Sequence, residues 1–158
     1  MRRTLKLVSL LSCILALASL PAGAAADCSI RTPAVSFGNY DSLASGRRDT
    51  IGSVTVTCTG NTGDAVSYYL SLSTTGQQGG YRVMTNGSQQ LNYLIFADNG
   101  YTQVWGDGSA GSSVVSDSYT MNAHSTSRSY PMYGRIPAGQ SQTTAGAYSA
   151  NVTVTLKY

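Results

Sequence analysis

Apolar and polar residues alternate with period two through most of the chain beyond Asp27. Val54, Val56 and Cys58 share one side of the segment from Ile51 to Cys58, and Ser53, Thr55 and Thr57 share the other. That is the pattern of a half-buried strand. Tyr68, Leu70 and Leu72 alternate in the same way with Tyr69, Ser71 and Ser73. Val35 and Phe37 predict a short first strand, broken by Gly38-Asn39-Tyr40-Asp41. Tyr81 to Thr85 is short and leads into Asn86-Gly87, a hairpin-type turn. Leu91 to Ala97 is apolar on both faces, which predicts an interior place in a sheet. Gly100 to Ser113 reads as a Gly-rich loop that holds the only Trp, Trp105. Val114-Val115 with Ser118 to Ala123, and then Tyr130 to Ile136, supply two more strands. The last segment alternates over its full length. Tyr148, Ala150, Val152, Val154, Leu156 and Tyr158 fall on one face, and Ser149, Asn151, Thr153, Thr155 and Lys157 on the other.

No stretch beyond Asp27 keeps a helical period, and strong helix formers are scarce there. Thr, Tyr and Val between Gly-rich turns favour strands. Seven or eight short strands with turns about every 8 to 12 residues predict an all-β chain, folded as a β-sandwich. The regular alternation argues against disorder, the competing reading of so much Ser and Gly.

The first residues are of another kind. Arg2, Arg3 and Lys6 precede an apolar run from Leu7 to Leu20, followed by Pro21 and Ala24-Ala25-Ala26. This reads as a secretory signal peptide, residues 1–26, ahead of one domain, residues 27–158. The run is shorter than the roughly 20 residues of a membrane-spanning helix, so no membrane insertion of the mature chain is expected. The formal charge of +3 belongs to the signal segment. Beyond it seven basic residues face seven Asp. A neutral chain gives no electrostatic case for binding nucleic acid. Cys13 lies within the signal segment, which leaves Cys28 and Cys58. An even pair in an exported chain predicts a disulfide.

Candidate chemistry is thin. His124 is the only histidine and thus the only imidazole base for a nucleophile. Asp98 and Asp107 are conceivable as paired carboxylates, and Gly106-Asp107-Gly108 as a calcium loop. Each reads more simply as turn chemistry, in which Asp bonds its own backbone. The expectation is a protein that is not an enzyme and needs no cofactor and no metal.

Several segments taken in order resemble the spore coat protein U domain, which subunits of archaic chaperone–usher pili share. They are Cys28-Ser29-Ile30, Val35 to Asp41, Gly52 to Cys58, Leu91 to Phe96, Trp105-Gly106-Asp107-Gly108, Tyr133 to Gln140 and Gly146 to Tyr158. The resemblance implies an immunoglobulin-like β-sandwich that lacks its last strand. It also implies that a periplasmic chaperone, and then a neighbouring subunit delivered through an usher, lends that strand. The residues agree with this, because an amphipathic final strand without a successor exposes apolar surface and unpaired backbone, which an added strand covers. The expected groove is lined by Tyr148, Val152, Val154, Leu156 and Tyr158. The resemblance gives Tyr158 the further role of setting register on a chaperone.

Polymerising subunits of this kind carry a donor segment ahead of the first strand. Cleavage after Ala26 leaves Asp27 alone before Cys28. At about 3.3 Å per residue, that cannot span several pockets. The expectation is therefore an exported structural or adhesive surface protein that accepts a strand without donating one. It would sit at the tip or end of a pilus, or in a spore-coat-like assembly. The alternative is a free-standing periplasmic or secreted binding module with a complete sandwich.

Overall fold

The computed structural model describes residues 26–73, 77, 78 and 80–158. The expected signal segment 1–26 lies outside the described residues except for Ala26, which is buried. Among the described residues nine strands follow in order. They are β1 (Asp27–Arg31), β2 (Arg48–Thr59), β3 (Ala65–Leu72), β4 (Gln77–Gln78), β5 (Tyr81–Asn86), β6 (Gln89–Phe96), β7 (Val115–Thr120), β8 (Ser125–Ile136) and β9 (Val154–Lys157). A six-stranded sheet runs β1-β2-β8-β6-β5-β4, and a three-stranded sheet runs β7-β3-β9. All pairings between these strands are antiparallel. The core lies between the two sheets, so the chain is an all-β sandwich.

The period-two segments bury the side that the pattern marks. Val54, Val56, Leu70 and Leu72 are almost fully buried, and Ile95 nearly so. β6 is flanked by β8 and β5, the interior position that its two apolar faces predict. At the hairpin Asn86 pairs with Gln89, and Gly87 takes a φ of +59°. A Gly at the first central position is the feature of a type II′ turn.

Cys28 sits directly opposite Cys58 and is bonded to it across a sequence separation of 30 residues. In the chain-entropy account, closing such a loop contributes about 3 to 4 kcal/mol. The bond fixes β1 to the long β2–β8 pair, which runs without interruption from Arg48↔Ile136 to Thr59↔Ser125.

Four expectations change. Val35 and Phe37 are not in a strand; the first strand is Asp27–Arg31, upstream of Pro33. Pro33 has no N–H to donate to a ladder. Side chains hold the following stretch instead: Thr50 Oγ1 donates to Ser36 O, and Arg48 Nε donates to Phe37 O, both at 2.7 Å. β8 begins at Ser125, five residues before the apolar pattern. Its polar half pairs with β2 on the outer face through hydroxyls, Thr57 to Ser127 at 2.8 Å and Thr55 to Ser129 at 2.9 Å. These bonds leave Thr55 half-buried.

Trp105 is fully buried although its loop is Gly-rich. Its backbone N–H donates to Ile95 O at 2.8 Å and its Nε1 to Leu70 O at 3.1 Å, so it bonds one strand of each sheet. The last segment keeps its alternation, but the ladder covers only Val154–Lys157. Ser149 exchanges two backbone bonds with Thr85 of β5, and Thr153 then bonds to Ser73. The segment crosses from one sheet to the other, and residues 150–152 belong to no ladder of the described residues.

Leu70→Ala is expected to cost about 2 to 5 kcal/mol in denaturant unfolding. Val154→Ala should cost more than Thr153→Ala; the reverse order would mean a register shifted by one residue. Thiol alkylation of unreduced exported protein should label neither Cys28 nor Cys58 in a mass spectrum.

Candidate functional site: an open groove beside the last strand

β9 pairs with β3 from Leu72↔Val154 to Tyr69↔Lys157. Its other edge has no strand partner among the described residues. β1 is the edge strand of the larger sheet. Between these two edges the chain after β1 faces the chain before β9 across a cleft of about 560 Å³. Pro33, Val35 and Phe37 line one side, and Tyr148, Val152 and Val154 the other. Leu72, Met84, Tyr93, Ile95 and Met132 also line it, and all five are buried. They come from β3, β5, β6 and β8, so the cleft reaches the shared core of both sheets. No charged side chain lines it among the described residues.

A second, wider cleft of about 1050 Å³ continues from Val35 and Phe37 past Tyr148 toward residues 38–43 and 141–147, with buried Leu91 and Ile136 in its lining. Tyr148 lines both clefts, and its hydroxyl donates to Thr144 O at 2.9 Å. At the other end of β9 the Tyr158 hydroxyl donates to Asp27 Oδ1 at 2.9 Å.

The structure thus brings together Tyr148, Val152 and Val154 of the five groove residues read from the sequence. Leu156 does not line the cleft; it is half-buried, opposite Leu70 of β3. Tyr158 does not line it either and is 63% exposed. The opposite wall, Val35 and Phe37, shows in the sequence as apolar alternation, the same signal that a strand gives. The methionines had no periodic signal that set them apart from ordinary core.

Such a site offers apolar pockets and a free backbone edge. That equips it to bind an extended segment with alternate apolar side chains. Among the described residues its lining holds no acid, base or nucleophile pair. His124 is exposed, with Nδ1 3.2 Å from Gly60 O. Asp98 closes its own turn: the Gln103 and Thr102 amides and the Thr102 hydroxyl donate to it. The Gln103 amide is the chief cause that holds its carboxyl below the usual range. Asp107 accepts from the Ser109 amide and hydroxyl. Among the described residues no group of three or more His, Cys, Asp or Glu is placed to hold a metal.

Three polar clusters escape a reading of patterns. Arg135 donates twice to Asp49, at 2.7 and 2.9 Å, and lies 3.6 Å over the Tyr101 ring. Asp117 of β7 accepts from Arg128 and from Tyr130 of β8, and Tyr130 in turn bonds Tyr68 of β3 at 2.5 Å. That chain of bonds ties the smaller sheet to the larger. Arg82 is the third: it is 2% exposed, and burial lowers its pKa.

The family model described as Spore Coat Protein U domain matches residues 14–155. Among solved structures the chain is 26% identical, with a TM-score of 0.59, to a chain of the chaperone–tip adhesion subunit pre-assembly complex from archaic chaperone–usher Csu pili of Acinetobacter baumannii. That match covers 84% of this chain but only 40% of the other, so the chain spans less than half of its counterpart. A chaperone–usher pilus structure concerned with rod uncoiling matches at 15% identity and a TM-score of 0.52, over 100% of this chain and 98% of the other. At that identity the likeness concerns the fold alone, and it agrees with an immunoglobulin-like sandwich. No curated protein matches.

The ion pairs set a pH dependence. The Arg135 hydrogen bonds hold the Asp49 carboxyl below its usual value. Burial would raise Asp117, but the bonds from Tyr130 and Arg128 outweigh it and leave it lowered. A carboxyl depressed in the folded state adds stability that is complete above its unfolded pKa, about 3.9. That stability is lost as pH falls through the folded value. Thermal stability is thus expected to be flat near neutrality and to fall below about pH 4. In Asp49→Asn with Asp117→Asn the midpoint should be lower at neutral pH, and the acid limb of a melting-versus-pH curve shallower.

Proposed function

The chain belongs to the spore coat protein U domain family, and on that premise we propose that it is an exported subunit of a chaperone–usher pilus or a spore-coat-like assembly, completed by a strand from another chain bound along β9. One observation carries this reading: β9, which among the described residues has a strand partner on one edge only, borders an apolar cleft that opens onto the core. Exposed apolar edges of this kind aggregate unless covered. A donor strand supplies backbone hydrogen bonds together with a side chain for every second pocket. Each aliphatic side chain so buried is worth about 1.5 to 3 kcal/mol.

The partners that fit are a periplasmic chaperone during export, an usher, and a neighbouring subunit in the assembly. The route is through the periplasm to the cell surface. No helix among the described residues is long and apolar enough to cross a membrane. The role is structural or adhesive, not enzymatic.

A place at the tip or another end of the assembly is the finer part of the proposal. Its support is that residues from Asp27 onward are committed to the chain's own sheet. They pair with β2 and are tied by the Cys28–Cys58 bond. A donor segment would have to precede them, and cleavage after Ala26 would remove what precedes them. Amino-terminal sequencing of exported protein checks this: a start at Asp27 supports it, and a start many residues earlier overturns it.

Val154→Asp would put an unpaired charge in the cleft, which is costly. The expected result is loss of the complex with a co-expressed chaperone, and degradation in the periplasm. A synthetic peptide of alternating apolar residues, added at 100 times its Kd, should stabilise the isolated domain by about 2.7 kcal/mol. That is read as a rise of several degrees in Tm. If the domain is a stable monomer whose melting no such peptide shifts, a free-standing binding module replaces this reading.

A further inference from the structure

A buried cation sits where the two sheets meet near the entry to β9. A charged side chain so deep in a core is costly unless it is hydrogen-bonded. Arg82 of β5 is engaged by two elements at once: Nη1 donates to Ser73 O, and Nη2 donates to Trp105 O at 3.1 Å, while its buried Nε has no hydrogen-bond partner among the described residues. Ser73 in turn holds Thr153. The Ser73 amide donates to Thr153 O at 2.8 Å, and the Thr153 amide donates to Ser73 Oγ at 3.1 Å. Thr153 directly precedes β9, between Val152 and Val154, which line the cleft.

We propose that Arg82 is a positioning residue for strand acceptance: through Ser73 it fixes where the chain enters β9, and so where Val152 and Val154 stand along the groove. This rests on the strand-acceptor reading above. The planar guanidinium suits the task because its donors diverge in a fixed fork and reach two carbonyls of different elements. An ammonium is a compact point charge and reaches such a pair less well, and a thioether has no donor. Without the fork the half-buried Ser73 carbonyl and the buried Trp105 carbonyl both lose this donor. The end of β3 then loosens, and Thr153 loosens with it. The pairing of Leu72 with Val154 is the ladder contact nearest to this joint.

The test uses the exported protein with its disulfide intact. It compares wild type with Arg82→Met, Arg82→Lys, Ser73→Ala and Val66→Ala. Val66 is buried at the far end of β3 and does not line the groove, so its truncation is a control for lost stability alone. Two quantities are read: the Kd for a synthetic peptide of alternating valine and threonine capped with lysines, and the hydrogen-exchange rate of the Thr153 and Val154 amides. Arg82→Met and Ser73→Ala should each weaken the peptide and speed exchange at Thr153 by tenfold or more. Arg82→Lys should recover part of both, and Val66→Ala should leave both within about twofold when compared at equal distance from the Tm. If Arg82→Met does not fold, Arg82→Lys decides: a Kd and a Thr153 exchange rate equal to those of the wild type overturn the role of Arg82. Equal behaviour of Ser73→Ala and Val66→Ala overturns the relay. Failure of the wild type to bind the peptide overturns the strand-acceptor reading instead, and with it the role of Arg82 in acceptance; the exchange rates then show only whether Arg82 holds Thr153.

Discussion

The structure turns on a mismatch: three strands have to cover the inner face of six. Strands that are buried on one face need an opposing layer. β7, β3 and β9 supply that layer only in part. The remainder of the larger sheet is covered by chain that makes no ladder, residues 32–43 on one side and 141–153 on the other. Val35, Phe37 and Tyr148 from these stretches pack against the core as partly buried residues. Coil can cover apolar surface, but it leaves backbone groups and gaps that a strand would fill. The clefts lie in this improvised cover, and the smaller one borders the edge of β9 that has no strand neighbour among the described residues.

The two layers are joined by a few bonds between unlike partners. Trp105 carries a backbone bond to β6 and an indole bond to β3. Tyr68, Tyr130 and Asp117 make a chain from β3 through β8 to β7. Arg82 reaches from β5 to Ser73 at the end of β3. Each of these groups is half-buried or buried, where a hydrogen bond is stronger than in water and an unmade one is costly. They hold the sheets in one relative position while the groove side stays open. The Cys28–Cys58 bond ties β1 to β2 within the larger sheet, beside the ladder between them, and the Tyr158 bond to Asp27 links β1 to the end of β9.

A rigid frame with one open edge suits an acceptor of strands. The side chains that line the groove belong to elements held in ladders or by the Trp105 bond: Leu72 by its ladder to Val154, Met132 by the long β2–β8 pair, Ile95 by the Trp105 backbone bond. On the proposed reading, little of the groove would have to be ordered when a strand binds, which would limit the entropic cost.

The sequence by itself determined the all-β class, the strands with period-two burial, the disulfide and the faces of the last segment. These depend on neighbours a few residues apart, or on the chemistry of the only two cysteines beyond the expected signal, and the alternation of Val54 and Val56 or Leu70 and Leu72 records them directly. Tertiary structure alone decided the rest. It turned Val35 and Phe37 from an apparent strand into a groove wall, because Pro33 and the side chains of Arg48 and Thr50 take the place of a ladder. It extended β8 through Ser125 to Ser129, because backbone pairing with β2 outweighs the lack of an apolar pattern. It withdrew Leu156 and Tyr158 from the cleft and cut the last ladder to four residues, because the chain crosses between sheets before Val154. It also buried Arg82, a placement no local pattern announces, since the carbonyls that satisfy a buried cation come from distant parts of the chain and meet only in the folded protein.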